Sequence, residues 1–391
     1  MTDINAPSPE KRQHIALNSI LFATGVSNFD RFVVGPMLIV LTNSFSTTVS
    51  VAATIATAHF LTYGLGQLIW GILSDRFGRL LVVRIALVGT IIGCFLSALA
   101  PTISTLLVTR AITGAFCGAI IPATITYIGD TVSIENRQKS MADMLAIMAV
   151  GSALATGFAG VIAEWSWRVV FLLTACLALV AVIRIYGIKN ITSIQAKKSS
   201  LNTLTLVFRS PWACSIFVFA LVEGALVLGL FALLPAVMEQ QGLGASAAGS
   251  AAALYGISVL VVTRLVKKLA KTPLLPMGMG GFCLISSYAL PAYCSGVIAL
   301  ACTSALLGAT WALFHSSLQS WTTMIVPLAR GTTVAAMTSA LFLGGGFGSM
   351  LAGPFVESHD TASLFKIAAI VSILLVLSAV ISRRQYIKSH A

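Results

Sequence analysis

Gly71-Ile72-Leu73-Ser74-Asp75-Arg76-Phe77-Gly78-Arg79 stands between an apolar run over residues 50–72 and a second over 80–100. The two glycines let the backbone turn tightly, and the two arginines mark the side of a membrane on which short loops collect positive charge. A tight turn between two membrane helices accounts for each of these residues except Asp75.

The composition around this stretch requires lipid. Only 9% of the 391 residues are Asp, Glu, Lys or Arg, and 57% are apolar. Soluble chains carry about 25% charged residues. Mean hydropathy is +0.95. A spanning helix needs about 20 apolar residues, so twelve helices of about 22 use roughly 260 and leave on the order of 130 for tails and connections. No large soluble domain fits in that remainder. The net charge of +12 does not form one basic face but recurs in every second loop, which argues against nucleic acid. The seven cysteines lie in or beside apolar stretches without a CxxC pair, so neither a metal site nor a disulfide framework is expected. The first 14 residues are polar and no small-residue cleavage site follows the first apolar run, so helix 1 is expected to act as an uncleaved insertion signal.

Apolar runs between polar or Gly/Pro punctuation predict twelve spans. They fall near 15–41, 50–72, 80–100, 103–127, 141–162, 167–188, 212–235, 246–264, 274–292, 295–317, 332–354 and 362–382. The longest interior polar stretch, Lys189–Pro211, splits them six and six. The expected organisation is an N-terminal six-helix bundle over 1–188, a cytoplasmic linker over 189–211 and a C-terminal six-helix bundle over 212–391. Placing both termini in the cytoplasm puts Arg76, Arg79, Arg137, Lys139, Arg209, Arg264, Arg330, Arg383 and Arg384 inside, and leaves Arg168 and Lys366 outside. The halves echo each other: Tyr63-Gly64 matches Tyr255-Gly256, and Arg137 matches Arg330. Six-helix repeats related by an axis along the membrane normal are a known transporter plan.

Charges inside the bilayer are costly and mark pathways. Four stand out: Asp30 and Arg31 in helix 1, Arg110 in helix 4 and Glu223 in helix 7. At about 1.5 Å rise per residue, Asp30 and Arg110 reach depths within side-chain range of each other. Two readings stay open: a static Asp30–Arg110 pair joining helices 1 and 4, or Asp30 or Glu223 as a proton carrier whose affinity changes as a helix moves. Arg31 lies about 100° round the helix from Asp30 and is assigned a cavity or inter-helix role. His59 and His315 are weaker candidates, and a lone His in an apolar helix is more often hydrogen-bonded packing. Phe29, Tyr63, Tyr127, Phe231, Tyr255, Trp311 and Phe314 are candidates to line an apolar cavity. Trp165 and Trp167 read as an interfacial belt. Gly344-Gly345-Gly346 has no strand-to-helix context for a phosphate loop and reads as close packing or a bend in helix 11.

The opening stretch resembles the signature GxLaDrxGrkxxl of the major facilitator superfamily, matching Gly71, Leu73, Asp75, Arg76, Gly78 and Arg79 and departing at Leu80, where the family prefers a basic residue. A second family motif resembles Arg110-xxx-Gly114-xxx-Gly118. A third, gxxxGPxxGG of the antiporter branches, keeps its small-residue spacing in Gly151, Gly157 and Gly160 but lacks the Pro; the plain reading of these glycines is helix packing. The resemblance implies twelve helices in two bundles related by a pseudo-two-fold axis, and is nearest to the twelve-helix drug/proton antiporters. It also implies that Asp75 latches the halves near the start of helix 11 at Gly331-Thr332, while Arg79 pairs with Asp130 at the end of helix 4. The matching loop in the second half, Arg264 to Lys271, has lost the Asp and both glycines, so that latch should be asymmetric.

The expected function is proton-coupled efflux of a small amphipathic compound by alternating access. Exporting a specific metabolite such as a sugar, amino acid or siderophore is the alternative, and a proton-coupled importer ranks below it. The expected partners are a small-molecule substrate, protons and membrane lipid, with no cofactor, no nucleic acid and a monomeric state. The expected place is a bacterial cytoplasmic membrane. Enzymes embedded in membranes show clustered His, Asp or Ser/Lys groups at one depth, and no such cluster stands out, so no catalytic residues are assigned.

Overall fold

A computed structural model describes residues 9–188, 201–269 and 272–389, without the side chains of residues 9–13, 75, 201–204 and 266–269. The apolar runs become helices because a chain in lipid must satisfy each backbone N–H and C=O within its own segment. Helix α1 (Pro9–Phe32) continues through the turn Gly35–Met37 into Leu38–Ser44. Next come α2 (Val49–Phe77), α3 (Arg79–Ala98) and α4 (Ile103–Cys117 running into Ile120–Thr131). The run Ile134–Tyr186 is broken at Ser166, where φ is −163° and ψ is 116°, into α5 (134–165) and α6 (167–186). Helix α7 joins Pro211–Gly224 and Phe231–Gln240 through the π-turn Ala225–Leu230, and α8 spans Ala245–Ala252 and Leu254–Leu269. After α9 (Leu274–Tyr293), α10 joins Val297–Thr310 and Ser316–Ile325 through the π-turn Trp311–His315. Helices α11 (Arg330–Glu357) and α12 (Thr361–Ser389) complete the chain.

Among the described residues, ten helices are long and apolar enough to cross a membrane. One of them holds both α5 and α6. Helix α1 is less apolar because it carries Ser19, Thr24, Ser27, Asn28, Asp30 and Arg31, all buried inside the bundle, where protein partners replace lipid. With these two counted, the described residues make the twelve expected crossings in two six-helix bundles. Of the expected linker, residues 189–200 lie outside the described residues, and Leu201–Phe208 forms a short helix.

Helices α3, α6, α9 and α12 turn apolar side chains outward. Ile92, Ile183, Phe282 and Leu374 are more than half exposed, as suits a surface facing lipid. The bundles meet through two related seams, α2 against α11 and α5 against α8. Small residues let these backbones approach. A Cβ on Gly64 of α2 would lie 2.9 Å from the Ser339 carbonyl oxygen of α11, and one on Gly256 of α8 would lie 2.5 Å from the Ala149 carbonyl oxygen of α5. The repeated Tyr-Gly pair thus occupies equivalent places in the two seams.

Both seams close tightly on the side away from the termini. Glu357, ending α11, accepts the Ser50 N–H at the start of α2 at 3.3 Å. Glu164, ending α5, accepts the Ser246 N–H at the start of α8 at 2.9 Å. Each carboxylate therefore caps a helix of the opposite bundle, where the exposed amides and the helix dipole favour negative charge. Just below, Phe32, Phe231 and Tyr255 form an aromatic plug, with ring centroids 4.7 Å apart for Phe231–Tyr255 and 5.8 Å for Phe32–Phe231. Trp165 is 85% exposed, but Trp167 is buried against Phe45 and Phe171. The break at Ser166 turns the two indoles apart, so only Trp165 fits the expected interfacial belt.

Candidate functional site: a central cavity with two buried ion pairs

A cavity of about 370 Å³ lies between the bundles below the aromatic plug. It opens toward the side that carries both termini, because its walls come from the late parts of α4 and α10 and the early parts of α5 and α11. One wall is apolar, with Ile121 and Ile125 of α4 and Met141, Met144, Leu145 and Met148 of α5. The opposite wall presents Ser316, Gln319, Ser320 and Thr323 of α10 and Thr338 of α11, beside Trp311. Arg31 stands at the deep end. Its Nη2 donates to the Tyr63 hydroxyl at 2.7 Å, and its guanidinium lies 4.8 Å from the Tyr63 ring centroid and 4.6 Å from that of Phe342. Helical spacing explains why Arg31 faces the cavity while its neighbour Asp30 faces into the N-terminal bundle.

Asp30 and Arg110 form a fully buried bidentate pair. Arg110 Nη1 and Nη2 donate to Asp30 Oδ1 and Oδ2, both at 2.9 Å, and Nη2 also reaches the Asp30 carbonyl oxygen at 3.2 Å. The Cys94 thiol donates to Oδ1 at 3.3 Å and the Cys117 thiol to Oδ2 at 3.6 Å. His59 Nδ1 lies 3.1 Å from Arg110 Nη2 and accepts a hydrogen bond from it, since guanidinium donates only. Three residues expected at the cavity thus sit behind its wall. Arg110 and His59 turn toward Asp30, because a buried guanidinium needs a carboxylate, and Phe29 packs in the core. Tyr63 is buried and reaches the site through Arg31. Tyr255 and Trp311 line a small recess continuous with Arg31, and Trp311 also lines the main cavity.

The second pair lies in the other bundle. His315 Nδ1 is 3.2 Å from Glu223 Oε2, and Glu223 Oε1 has no partner. His315 lines the cavity and stacks on Trp311 with centroids 4.0 Å apart, while Glu223 lies fully buried behind it. Both members lie at π-turns: Glu223 precedes Ala225–Leu230, and His315 ends Trp311–His315. Such insertions recur at functional sites because they redirect side chains and free backbone groups. One freed carbonyl, that of Leu226, accepts the Tyr288 hydroxyl.

At the end that carries the termini, Gly78 joins α2 to α3 with φ +91°, a conformation that favours glycine. Arg79 donates from Nε to Asp130 Oδ2 at 3.2 Å and from Nη1 to Ser74 Oγ at 3.3 Å. Arg76 is exposed over the Phe77 ring, and a Cβ on Gly71 would meet nothing. The Asp75 side chain lies outside the described residues. Leu80, where the signature prefers a basic residue, is fully buried. Gly118 of the helix 4 motif packs on α2, where a Cβ would lie 2.5 Å from the Tyr63 carbonyl oxygen, and Gly114 likewise abuts the His59 carbonyl. In α5, Gly151 packs on α1 at Gly25 and Gly160 packs on α8 at Ala245, but a Cβ on Gly157 would make only ordinary contact, 3.9 Å from the Ala253 Cβ.

Comparison with known proteins agrees with this architecture. A family model described as the Major Facilitator Superfamily matches residues 20–292. The chain belongs to this superfamily. It is an integral multi-pass membrane protein. The chain is 25% identical over 374 residues to an uncharacterised MFS-type transporter of Bacillus subtilis, covering 92% of this chain and 93% of that one. A triacylglyceride transporter of Mycobacteroides abscessus is 28% identical over 188 residues, 46% of this chain but only 36% of that relative's length. Among solved structures, a bacterial homologue of the human lysosomal transporter Spinster, inward-facing and unoccupied, overlays with a TM-score of 0.77 at 16% identity, covering 98% of this chain and 99% of that one. A D-xylose–proton symporter overlays with a TM-score of 0.76 at 19% identity, covering 93% and 96%.

Sequence reasoning named Glu223 and His315 separately and did not join them. The repeat held an unused signal: Asp30 and Glu223 are 193 positions apart, the same separation as Arg137 and Arg330. Glu164 and Glu357, also 193 apart, were missed. The methionines of α5 at 141, 144 and 148 have the spacing of one helix face, but periodicity alone does not separate a cavity wall from core.

Proposed function

We propose that this transporter is a proton-coupled exporter of small amphipathic compounds, with Glu223 and His315 as the coupling pair. The observation that carries this reading is the Glu223–His315 contact of 3.2 Å, buried yet reached from the cavity through His315. An imidazole and a carboxylate can each take up or give up a proton, whereas the guanidinium of Arg110 donates hydrogen bonds only and keeps its charge. The pair in α7 and α10 can therefore change its proton content during a cycle, and the pair in α1 and α4 serves as a fixed joint. Cargo seated against Trp311 and His315 would compete with the proton for the same wall. Rocking of the bundles about this site would expose it alternately to the two sides. The excess of Lys and Arg in the loops on the terminal side supports cytoplasmic termini, which makes the described conformation inward-facing. On this reading, residues 1–188 and 212–391 are the rocking bodies, Gly71 to Arg79 with Asp130 is the cytoplasmic latch, and the bacterial inner membrane is the location.

Proton release from purified protein, followed with a pH dye while lipophilic cations, anions and sugars are added, tests this function. Release is expected with the cargo class, and Glu223→Gln should abolish it while binding persists. Binding without release in the unaltered protein, or release that survives Glu223→Gln, overturns the coupling. The partial likeness to triacylglyceride transporters favours a lipid cargo as a second reading, and a short-chain diacylglycerol in the same panel separates it.

A further inference from the structure

We infer that the cavity takes an amphipathic organic anion, with its acid group on Arg31 and its apolar body against the methionines of α5. This rests on the reading of the cavity as the transport site and adds the charge of the cargo. Among the described residues, Arg31 is the cation at the cavity that has no carboxylate partner. Arg110 is neutralised by Asp30 and faces away from the cavity, and Glu223 lies behind His315. Arg31 is only 5% exposed and lines the cavity, yet among the described residues no carboxylate lies within 4.0 Å of it. Burying an unpaired cation is costly, so a site that keeps one has a use for it.

The donor geometry points the same way. A guanidinium offers five N–H donors in a planar fork. One goes to the Tyr63 hydroxyl, and Nε has no partner. The Tyr63 and Phe342 rings lie against the guanidinium, whose N–H donors not held by Tyr63 suit a carboxylate, sulfonate or phosphate monoester, an anion that a guanidinium fork can bind through two parallel bonds. Beyond these donors the wall is apolar and adaptable, with Met144, Met148 and Ile125, and Gln67 and Gln319 flank it. A volume of about 370 Å³ admits a fused bicyclic ring or a medium-chain acid. No unpaired carboxylate among the described residues faces the cavity to receive a cation.

The test uses the full chain in lipid nanodiscs at neutral pH and three probes of one shape: 2-naphthoate, 2-naphthylmethanol and (2-naphthylmethyl)trimethylammonium. Binding is read from tryptophan quenching, with Trp311 in the cavity wall, and checked by equilibrium dialysis against empty nanodiscs. Naphthoate should bind about tenfold or more tighter than the alcohol, the scale of one charge-assisted contact, and the ammonium probe should bind weakest. Arg31→Gln should remove the preference for the anion and leave the alcohol's affinity within about twofold, which shows that the cavity survives. Arg31→Lys, which keeps the charge but loses the fork, should fall between. The inference is overturned if the ammonium probe binds as tightly as naphthoate, if none of the three binds, or if the preference survives Arg31→Gln. Probe selectivity does not depend on coupling. In the unaltered protein, no anion preference with intact proton release sinks this inference alone, and an anion preference without proton release sinks the antiport reading alone.

Discussion

Gly256 in α8 offers a direct test of how the bundles are held together. An alanine there would place its Cβ 2.5 Å from the Ala149 carbonyl oxygen and 2.8 Å from both the backbone nitrogen and the Cβ of Ala153. Two of these three atoms are backbone, so no rotamer change relieves the clash. Restoring ordinary contact requires α8 to retreat from α5 by roughly 0.7–0.9 Å, and overpacking on this scale costs about 1–3 kcal/mol. The strain falls on the conformation with the seam closed. A cost of about 1–3 kcal/mol is a shift of about 5- to 150-fold in the balance between closed and open seams. The assay is alkylation at Ala248→Cys, a fully buried position in the seam, by a membrane-impermeant maleimide supplied from the side away from the termini in a background lacking the native cysteines. Gly256→Ala should raise the labelling rate within that range. Gly157→Ala in α5, whose Cβ would lie 3.9 Å from the nearest atom, should leave it unchanged. Labelling equal to the parent in a folded Gly256→Ala protein would refute the claim that backbone contact at this glycine closes the seam.

Three further outcomes follow from the contacts described. Asp30→Asn strands the Arg110 charge and should cost about 3–5 kcal/mol, seen as earlier thermal unfolding in detergent, while the double change Asp30→Leu with Arg110→Met should recover most of it; a native melting curve for the single variant would show that the pair is not buried as described. Asp130→Asn removes a partly exposed pair and should change unfolding by no more than about 1 kcal/mol, so a larger loss would assign Arg79–Asp130 a structural weight that its exposure does not support. Tyr288→Phe leaves the Leu226 carbonyl of the π-turn unpaired and should cost about 1–3 kcal/mol in the same assay; an unchanged melting curve would mean the turn does not depend on that hydroxyl.

The glycine seams show where reading the sequence reaches its limit. Gly151, Gly157 and Gly160 look alike in the sequence, and close packing was expected of all three. The structure packs Gly151 against α1 and Gly160 against α8 and leaves room for a side-chain methyl at Gly157, because contact depends on which neighbour faces each position round the helix. The same holds for the aromatic candidates. Trp311 reached the cavity wall and Phe29 went to the core, a difference of helix face that composition does not encode.

What the sequence determined by itself was the membrane, the twelve crossings, their grouping into two repeats and the identity of the rare buried charges. These follow from local physics: a segment's apolarity sets its cost in water, and a charge in lipid is expensive wherever its partner lies. Only the tertiary structure decided the partners. Asp30 meets Arg110 across 80 positions and Glu223 meets His315 across 92, while Arg31 beside Asp30 is left facing the cavity. Adjacent residues on a helix point about 100° apart, so one residue's step along the chain separates a sealed ion pair from an open binding group. Which of the two faced the cavity depended on how α1 is rotated against α4 and α5, and that rotation is set by packing contacts far apart in the chain.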